Sequence, residues 1–133
     1  MRQLHHLCIQ TDIYEESIDF YCRVFDFEIV KETRNFHNRL YNTWLKYGNL
    51  MIELQTNKEG EVLKEYSGSN KGLVHFCFKV DDIEKEYERI KKLGYSNFKS
   101  KNGKDIYVVE GGKLLKVISP EGTIIEIRDN QVI

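Results

Sequence analysis

Two histidines and two glutamates stand at matching places in the two halves of this 133-residue sequence. His6 and His75 lie 69 residues apart in similar surroundings, and Glu53 and Glu126 each interrupt an apolar run, MIEL and IIEI. Imidazole and carboxylate groups are ligands for Zn²⁺, Ni²⁺, Co²⁺, Mn²⁺ and Fe²⁺. Two of each can hold one ion and leave positions open for water or substrate. The sequence therefore predicts one divalent-metal site formed by these four residues.

Side-chain alternation along strands indicates that the four residues share the polar faces of their strands. Successive residues of a strand point to opposite sides, so His6 shares its face with Cys8 and Gln10, and His75 shares its face with Cys77. Each glutamate likewise stands opposite its apolar neighbours. No base adjoins either cysteine, so both are expected to pack beside the site rather than act as nucleophiles.

The other two histidines are weaker candidates. Alternation puts His5 with Leu7 on the apolar face, and matching the two halves in phase pairs His6 with His75. His37 lies in the polar run RNFHN and is expected in a loop. His6 is therefore the predicted ligand of the first half.

An internal repeat predicts how the chain is organised. Matching residues 69 apart include Asp12 and Asp81, which are expected to be the N-caps of two helices, and Gly94 is expected to end the second helix. Each helix carries an apolar stripe at helical spacing. The stripes are Tyr14, Ile18, Tyr21 and Val24, then Ile83, Tyr87, Ile90 and Leu93.

Strand signals follow each helix. Turn residues separate them, giving strands at 26–34, 39–47 and 50–56, then at 95–100, 105–109, 113–118 and 123–128. The prediction is an α+β fold in which two tandem βαβββ modules form a curved mixed sheet around a central metal site. One domain, 1–133, comprises a module at 4–56, a connection at 57–71 and a module at 72–129.

Composition excludes several classes of function. Hydrophobic residues make up 41% and charged residues 31%, and the formal net charge is −1 with no basic stripe, which argues against nucleic-acid binding. No apolar stretch reaches the roughly 18 residues of a membrane span. The three cysteines form no CxxC pair, which favours free thiols and a cytoplasmic location.

The sequence resembles the vicinal-oxygen-chelate superfamily, which includes glyoxalase I, bleomycin-resistance proteins, extradiol dioxygenases and methylmalonyl-CoA epimerase. The segments that carry the resemblance are HHLCIQTDIYEESIDFY at 5–21, LMIEL at 50–54, GLVHFCFKVDDIEKEYERIKKLG at 72–94 and ISPEGTIIEI at 118–127. The glyoxalase I pattern is the closest. It implies metal ligands at His6, Glu53, His75 and Glu126, a glyoxalase-like fold and a homodimer.

The resemblance also implies a reaction. Glyoxalase I isomerises the hemithioacetal of a 2-oxoaldehyde and a small thiol to a 2-hydroxyacyl thioester through an enediolate. A divalent ion stabilises such charge as a Lewis acid, and a nearby carboxylate moves the proton. Glu126 is the expected principal base and Glu53 its symmetric partner.

Some positions depart from the glyoxalase I pattern. Glutathione-using enzymes commonly carry Arg where this chain has Gln10, and the usual Leu-Gly after the first helix is Phe25-Asp26. Asn57 does match a glutathione-contacting asparagine. Gln10 and Asn57, with both site cysteines, are therefore candidate substrate contacts, and the identity of the thiol stays open.

Two alternative functions also stay open. One is another metal-dependent enzyme of the superfamily: an acyl-CoA epimerase, a dioxygenase or a thiol transferase. The other is a non-catalytic protein that binds a drug or another small ligand.

Overall fold

The computed structural model describes residues 1–130, and the chain divides into two compact units, Met1–Glu65 and Tyr66–Ile133. The division falls inside the segment 57–71 that was predicted to connect the modules. Each unit holds one four-stranded mixed sheet. The predicted α+β fold, with the order strand, helix and three strands in each half, is confirmed.

The first unit contains strands β1 to β4. The elements are β1 (Leu7–Thr11), α1 (Tyr14–Asp19) continued by a π-helical turn (Phe20–Val24), β2 (Glu28–Phe36), β3 (Arg39–Tyr47) and β4 (Leu50–Thr56). The strand order is β1-β4-β3-β2, with β1 parallel to β4 and the other pairs antiparallel. The parallel pair brings the first and last strands of the unit side by side.

The second unit repeats this arrangement. Its elements are β5 (Phe76–Lys79), α2 (Ile83–Lys92), β6 (Ile106–Val109), β7 (Gly112–Ile118) and β8 (Ile124–Arg128). The strand order is β5-β8-β7-β6, again with the first and last strands parallel. The sequence repeat is therefore also a repeat of sheet topology.

The predicted strand at 95–100 is wrong. This segment runs beside β7 but forms only an isolated bridge, between Phe98 and Val117. The Lys99 N–H donates to the Lys116 carbonyl, and the Tyr95 hydroxyl donates to the Ile118 carbonyl. These separate hydrogen bonds occupy polar groups of the segment, but they do not form the continuous ladder that defines a strand.

The predicted N-caps are also wrong. Asp82 caps α2, its carboxylate accepting a hydrogen bond from the Lys85 N–H, so the helix begins one residue later than expected. At α1 the N-cap position is Ile13, which makes no side-chain cap. The Thr11 hydroxyl accepts from the Ile13 N–H instead, which binds the helix entry to the end of β1.

Apolar burial fixes the orientation of the strands that carry the glutamates. Ile52 and Leu54 flank Glu53 and are fully buried, and Ile125 and Ile127 flank the second glutamate with at most 1% exposed. Burying each such side chain stabilises the fold by about 1.5–3 kcal/mol. A slip of one residue would exchange these side chains for a carboxylate, so each glutamate is held on the face away from the core.

The cores lie between each sheet and its helix. The largest fully buried side chains of the first unit come from its helical segment, β3 and β4: Phe20, Tyr21, Val24, Leu45, Ile52 and Leu54. Those of the second unit come from α2, β7 and β8: Ile83, Ile90, Leu115, Val117, Ile125 and Ile127. Within the stripe predicted for the first helix, Ile18 is only half-buried, and the neighbouring Ser17 is fully buried in its place.

Candidate metal centre

The first unit brings one histidine and one glutamate together. His6 immediately precedes β1, Glu53 lies in the middle of β4, and Cys8 is directly paired with Glu53 across the two strands. The His6 Nε2 atom is 4.0 Å from the Glu53 Oε2 atom, and their side chains are 34% and 22% exposed. A cation can therefore reach both groups.

Two neighbours that sequence reasoning missed orient His6. The Nδ1 atoms of His5 and His6 are 2.8 Å apart, and the Trp44 ring lies edge-on to His6 with centroids 4.8 Å apart. His5 was expected on the opposite face, but β1 begins only at Leu7, so strand alternation does not govern residue 5. Trp44 is cross-strand to Glu53. A second group on Nδ1 is typical of imidazoles that bind metal through Nε2.

The second unit contains the equivalent pair in a tighter arrangement. The His75 Nε2 atom is 3.2 Å from the Glu126 Oε2 atom, and Cys77 is directly paired with Glu126. The Glu126 side chain is only 9% exposed, and its Oε1 atom lies 3.4 Å from the Arg128 Nε atom. A buried carboxylate requires such partners. Glu126 is thus the more enclosed of the two glutamates.

The two site cysteines contact the glutamates as thiols. Cys8 Sγ is 3.5 Å from Glu53 Oε1, and Cys77 Sγ is 3.6 Å from Glu126 Oε1. Burial, followed by the negative charge of the adjacent glutamate, raises the pKa of each cysteine to about 11. Both thiols are therefore protonated near neutral pH. Since the thiolate is the nucleophile, this chemistry agrees with a packing role.

The donor groups of each pair fit a divalent ion. Two ligands bound at about 2.1 Å to one ion lie roughly 3.0–3.4 Å apart, and the His75–Glu126 separation of 3.2 Å falls in this range. The Nδ1 atom of His75 is buried without a hydrogen-bond partner among the described residues, which leaves bonding capacity in that ring. The His6–Glu53 pair, at 4.0 Å, needs a small side-chain rotation.

Neither pair is a complete site by itself. Within residues 1–130 there is no group of three or more His, Cys, Asp or Glu side chains arranged to hold a metal ion. Each unit supplies two of the four predicted ligands, and the sharing of one ion by all four stays a prediction.

The predicted substrate contacts of the first unit lie near the end of its sheet. The Gln10 side chain accepts a hydrogen bond of 2.9 Å from Arg39 Nη1, which also donates to the Thr56 carbonyl. Asn57 donates to the Lys58 and Glu61 carbonyls. A cavity of about 410 Å³ opens here, lined by Asn35, Asn38, Arg39, Leu40, Asn57 and Glu59.

Arg39 brings a guanidinium to the side chain of Gln10, the position where the resemblance led us to expect arginine. Arg39 follows the turn between β2 and β3, and its backbone forms an isolated antiparallel β-bridge with Lys58. No carboxylate pairs with Arg39 among the described residues. Nothing in the local sequence around Arg39 signalled this contact, because it joins residues 29 positions apart on strands that are not neighbours in the sheet.

Comparison with known proteins identifies the family. The sequence model of the Glyoxalase/Bleomycin resistance protein/Dioxygenase superfamily matches residues 3–106, which is more than half of the chain. The chain belongs to this superfamily. The superfamily membership expected from the sequence is therefore confirmed. The search of curated protein sequences found no match.

Solved structures of superfamily members share the fold. A glyoxalase family protein from Enterococcus faecalis is 22% identical, with a TM-score of 0.78, covering 96% of this chain and 98% of its own. Lactoylglutathione lyase from Agrobacterium tumefaciens is 18% identical, with a TM-score of 0.68 and coverages of 96% and 93%. The fosfomycin resistance protein FosX from Listeria monocytogenes, complexed with Mn(II) and sulfate, is 17% identical, with a TM-score of 0.72 and coverages of 99% and 95%.

These similarities confirm the predicted glyoxalase-like fold. At such identities they establish the fold alone and leave the activity to be argued from this chain's residues. The helices of the described residues are all too short or too polar to cross a membrane.

Proposed function

We propose that this protein is a divalent-metal-dependent lyase of the glyoxalase I type, which isomerises a 2-oxoaldehyde–thiol hemithioacetal to a 2-hydroxyacyl thioester. The observation that carries the proposal is the repeated His–Glu pair. In both sheets the glutamate lies on the last strand, directly paired with a cysteine of the first strand, and a histidine precedes that cysteine by two residues.

His6, Glu53, His75 and Glu126 would hold the ion, which we expect to be Ni, Zn, Co, Mn or Fe(II). When bound, the ion supplies positive charge that stabilises negative charge on two neighbouring substrate oxygens. Its ligands are two imidazoles and two carboxylates, a set that suits these metals. The presence of both pairs also argues against a non-catalytic ligand-binding protein.

Glu126 is the proposed base, and Glu53 its counterpart in the other half. The reaction moves a proton from one substrate carbon to its neighbour, so one carboxylate must accept the proton and return it. The Glu126 side chain is 9% exposed against 22% for Glu53, which limits proton exchange with water. Arg128 contacts Oε1 of Glu126 and so helps hold its second oxygen beside His75.

The co-substrate thiol is proposed to bind at the cavity beside Gln10. Arg39 there offers guanidinium donors, of which one nitrogen already contacts Gln10 and the Thr56 carbonyl. Asn57 adds an amide to the same cavity. Guanidinium and amide groups recognise carboxylates, so a thiol that carries a carboxylate is favoured.

Assembly and location complete the proposal. We infer a homodimer, since the family resemblance implies one, with the four ligands combining either within one chain or across two. Cys8, Cys22 and Cys77 are free, which supports a reducing, cytoplasmic location.

A second candidate is a different metal-dependent activity of the same superfamily, such as thiol transfer or acyl-thioester epimerisation. The replacement of the usual arginine by Gln10 favours it, because the chain departs there from glutathione-using glyoxalases.

Thioester formation tests the proposal. Protein loaded separately with Ni²⁺, Zn²⁺, Co²⁺ or Mn²⁺ is mixed with methylglyoxal and with each of several thiols, including glutathione and cysteine, and thioester absorbance is followed. We expect turnover with at least one metal and one carboxylate-bearing thiol, and none after chelation. Metal-loaded protein that forms no thioester with any thiol, yet turns over an acyl-CoA epimer, would establish the second candidate instead.

A further inference from the structure

The two sheets differ in the charge that surrounds their glutamates. In the first unit, the cross-strand neighbour of Glu53 on β3 is Trp44, and the next residue of β4 on the same face is Gln55. Both are uncharged. On β1, the residue that pairs with Gln55 is Gln10, also uncharged. The sheet neighbours of the first glutamate are thus amides and an aromatic ring, and the nearest guanidinium, that of Arg39, is hydrogen-bonded to Gln10.

The matching positions of the second unit are all cationic. Lys116 is the cross-strand neighbour of Glu126 on β7, and Arg128 is the next residue of β8 on the same face. Lys79 of β5 pairs with Arg128. Since directly paired residues project to the same side of a sheet, these three cations surround the carboxylate. The repeat has kept the His–Glu pair and changed the charge around it.

These cations exceed the carboxylates available to them. Lys116 makes no ion pair within 4 Å among the described residues, and the Nε atom of Arg128 is buried without a hydrogen bond, 3.4 Å from Glu126. Lys79 approaches only Asp81, whose side chain is fully exposed. A solvent-exposed pair of this kind neutralises little. The three cations therefore outnumber the carboxylates they contact, and the Nε donor of Arg128 makes no hydrogen bond among the described residues.

We propose that Lys79, Lys116 and Arg128 form a binding site for an oxyanion, a carboxylate or phosphonate group carried by the substrate. The guanidinium of Arg128 supplies directional donors, and the two lysines supply point charges. The inference rests on the proposed function for naming this ligand as the substrate, and it deepens that function. The part of the substrate that meets the second sheet therefore carries the negative charge.

Binding of simple anions to metal-free protein tests the site directly. The full chain, stripped of metal on a chelating resin, is labelled with ¹⁵N and titrated with acetate, methylphosphonate and neutral acetamide. We expect saturable shifts near Lys116 and Arg128 with at least one of the two anions and none with acetamide. Acetate alone identifies a carboxylate site, and methylphosphonate alone identifies a phosphonate site.

Matched lysine variants provide the control. Lys116→Gln should weaken anion binding about tenfold, because a charge-assisted contact is lost. Lys113→Gln, on the same strand but contacting Glu84 of α2, should leave binding unchanged. Thermal melts of both variants confirm that they fold. Absence of saturable shifts with either anion, or equal weakening in the two variants, would overturn the proposal.

Metal content of the same preparations separates this inference from the proposed function. Protein that retains metal but binds neither anion contradicts the oxyanion site alone. Protein that binds an anion at these residues but takes up no metal contradicts the metal-dependent lyase while leaving the oxyanion site in place.

Discussion

Single residues distinguish the two halves of the candidate centre. Glu126 is nearly enclosed and contacts both His75 and Arg128, whereas Glu53 is more open and meets His6 at a longer distance. A base that works away from bulk water keeps the proton it has taken until it is returned to the substrate. The difference in enclosure therefore assigns the two carboxylates unequal roles.

Replacing each glutamate by glutamine separates base from ligand. Glu126→Gln should lower kcat by 10²-fold or more, the usual contribution of a positioned proton-transfer group, while Glu53→Gln should cost less. Turnover is measured at saturating substrate, with bound metal quantified in each sample. Equal losses in the two variants, at equal metal occupancy, would remove the assignment of Glu126 as principal base.

Replacing Arg39 tests the thiol contact. Arg39→Gln should raise KM for the thiol about tenfold with little change in kcat, because a charged hydrogen bond to a substrate carboxylate is lost. Arg34→Gln is the matched control, since Arg34 is exposed and pairs loosely with Glu32 in the same hairpin. A KM that moves equally in both variants would place the thiol elsewhere.

At the scale of elements, hydrophobic periodicity predicted the strands whose side chains alternate between buried and exposed positions. The strands predicted at 39–47 and 50–56 match β3 and β4, since their alternating burial appears in the sequence. The strand predicted at 95–100 failed because its hydrogen bonds to β7 are scattered. The predicted helix starts were wrong because an N-cap depends on the backbone conformation of a single residue. At α2 that residue is Asp82, not the expected Asp81. Alternation suggested the candidate ligands, but the contact of Arg39 with Gln10 and the place of Lys116 beside Glu126 depend on the assembled sheets.

The end of α2 offers a stability prediction. Gly94, the expected stop, has φ of +83°, and its N–H and that of Tyr95 donate to the carbonyls of Lys91 and Ile90. This pattern closes the helix with a left-handed residue. Gly94→Ala should lower the free energy of unfolding by about 1 kcal/mol, as measured by urea denaturation.

Gly68 is the matched control for this variant. It lacks a positive φ, and an added Cβ meets nothing within 4 Å, so Gly68→Ala should leave stability unchanged or slightly higher. If both variants lose the same stability, the left-handed conformation at Gly94 is not the cause.

At the scale of the whole molecule, each unit contributes two ligands and a four-ligand centre needs both contributions. Strand periodicity reports the faces within one sheet, and it carries no information about which units share an ion. This is why the sequence predicts candidate ligands but leaves open whether one chain or two complete the site.

Complementation between variants locates the site. His6→Ala and His75→Ala chains, each unable to bind metal tightly, are co-expressed with different tags and the mixed dimer is purified. If the four ligands combine across two chains, the mixed dimer should hold one intact site, because one chain retains His6 and its partner retains His75. A mixed dimer as metal-free as its parents would show that each chain builds its own site.

The most direct test of the central claim is the metal content of four single-ligand variants. Wild-type protein is incubated with Ni²⁺ or Zn²⁺, desalted and analysed for metal, alongside His6→Ala, Glu53→Gln, His75→Ala and Glu126→Gln, with His37→Ala as control. We predict one ion per chain in the wild type and the control, and at least tenfold weaker binding in each of the four variants. Wild-type protein that takes up no ion, or a His75→Ala variant that retains it fully, would contradict the claim that these four side chains hold one metal.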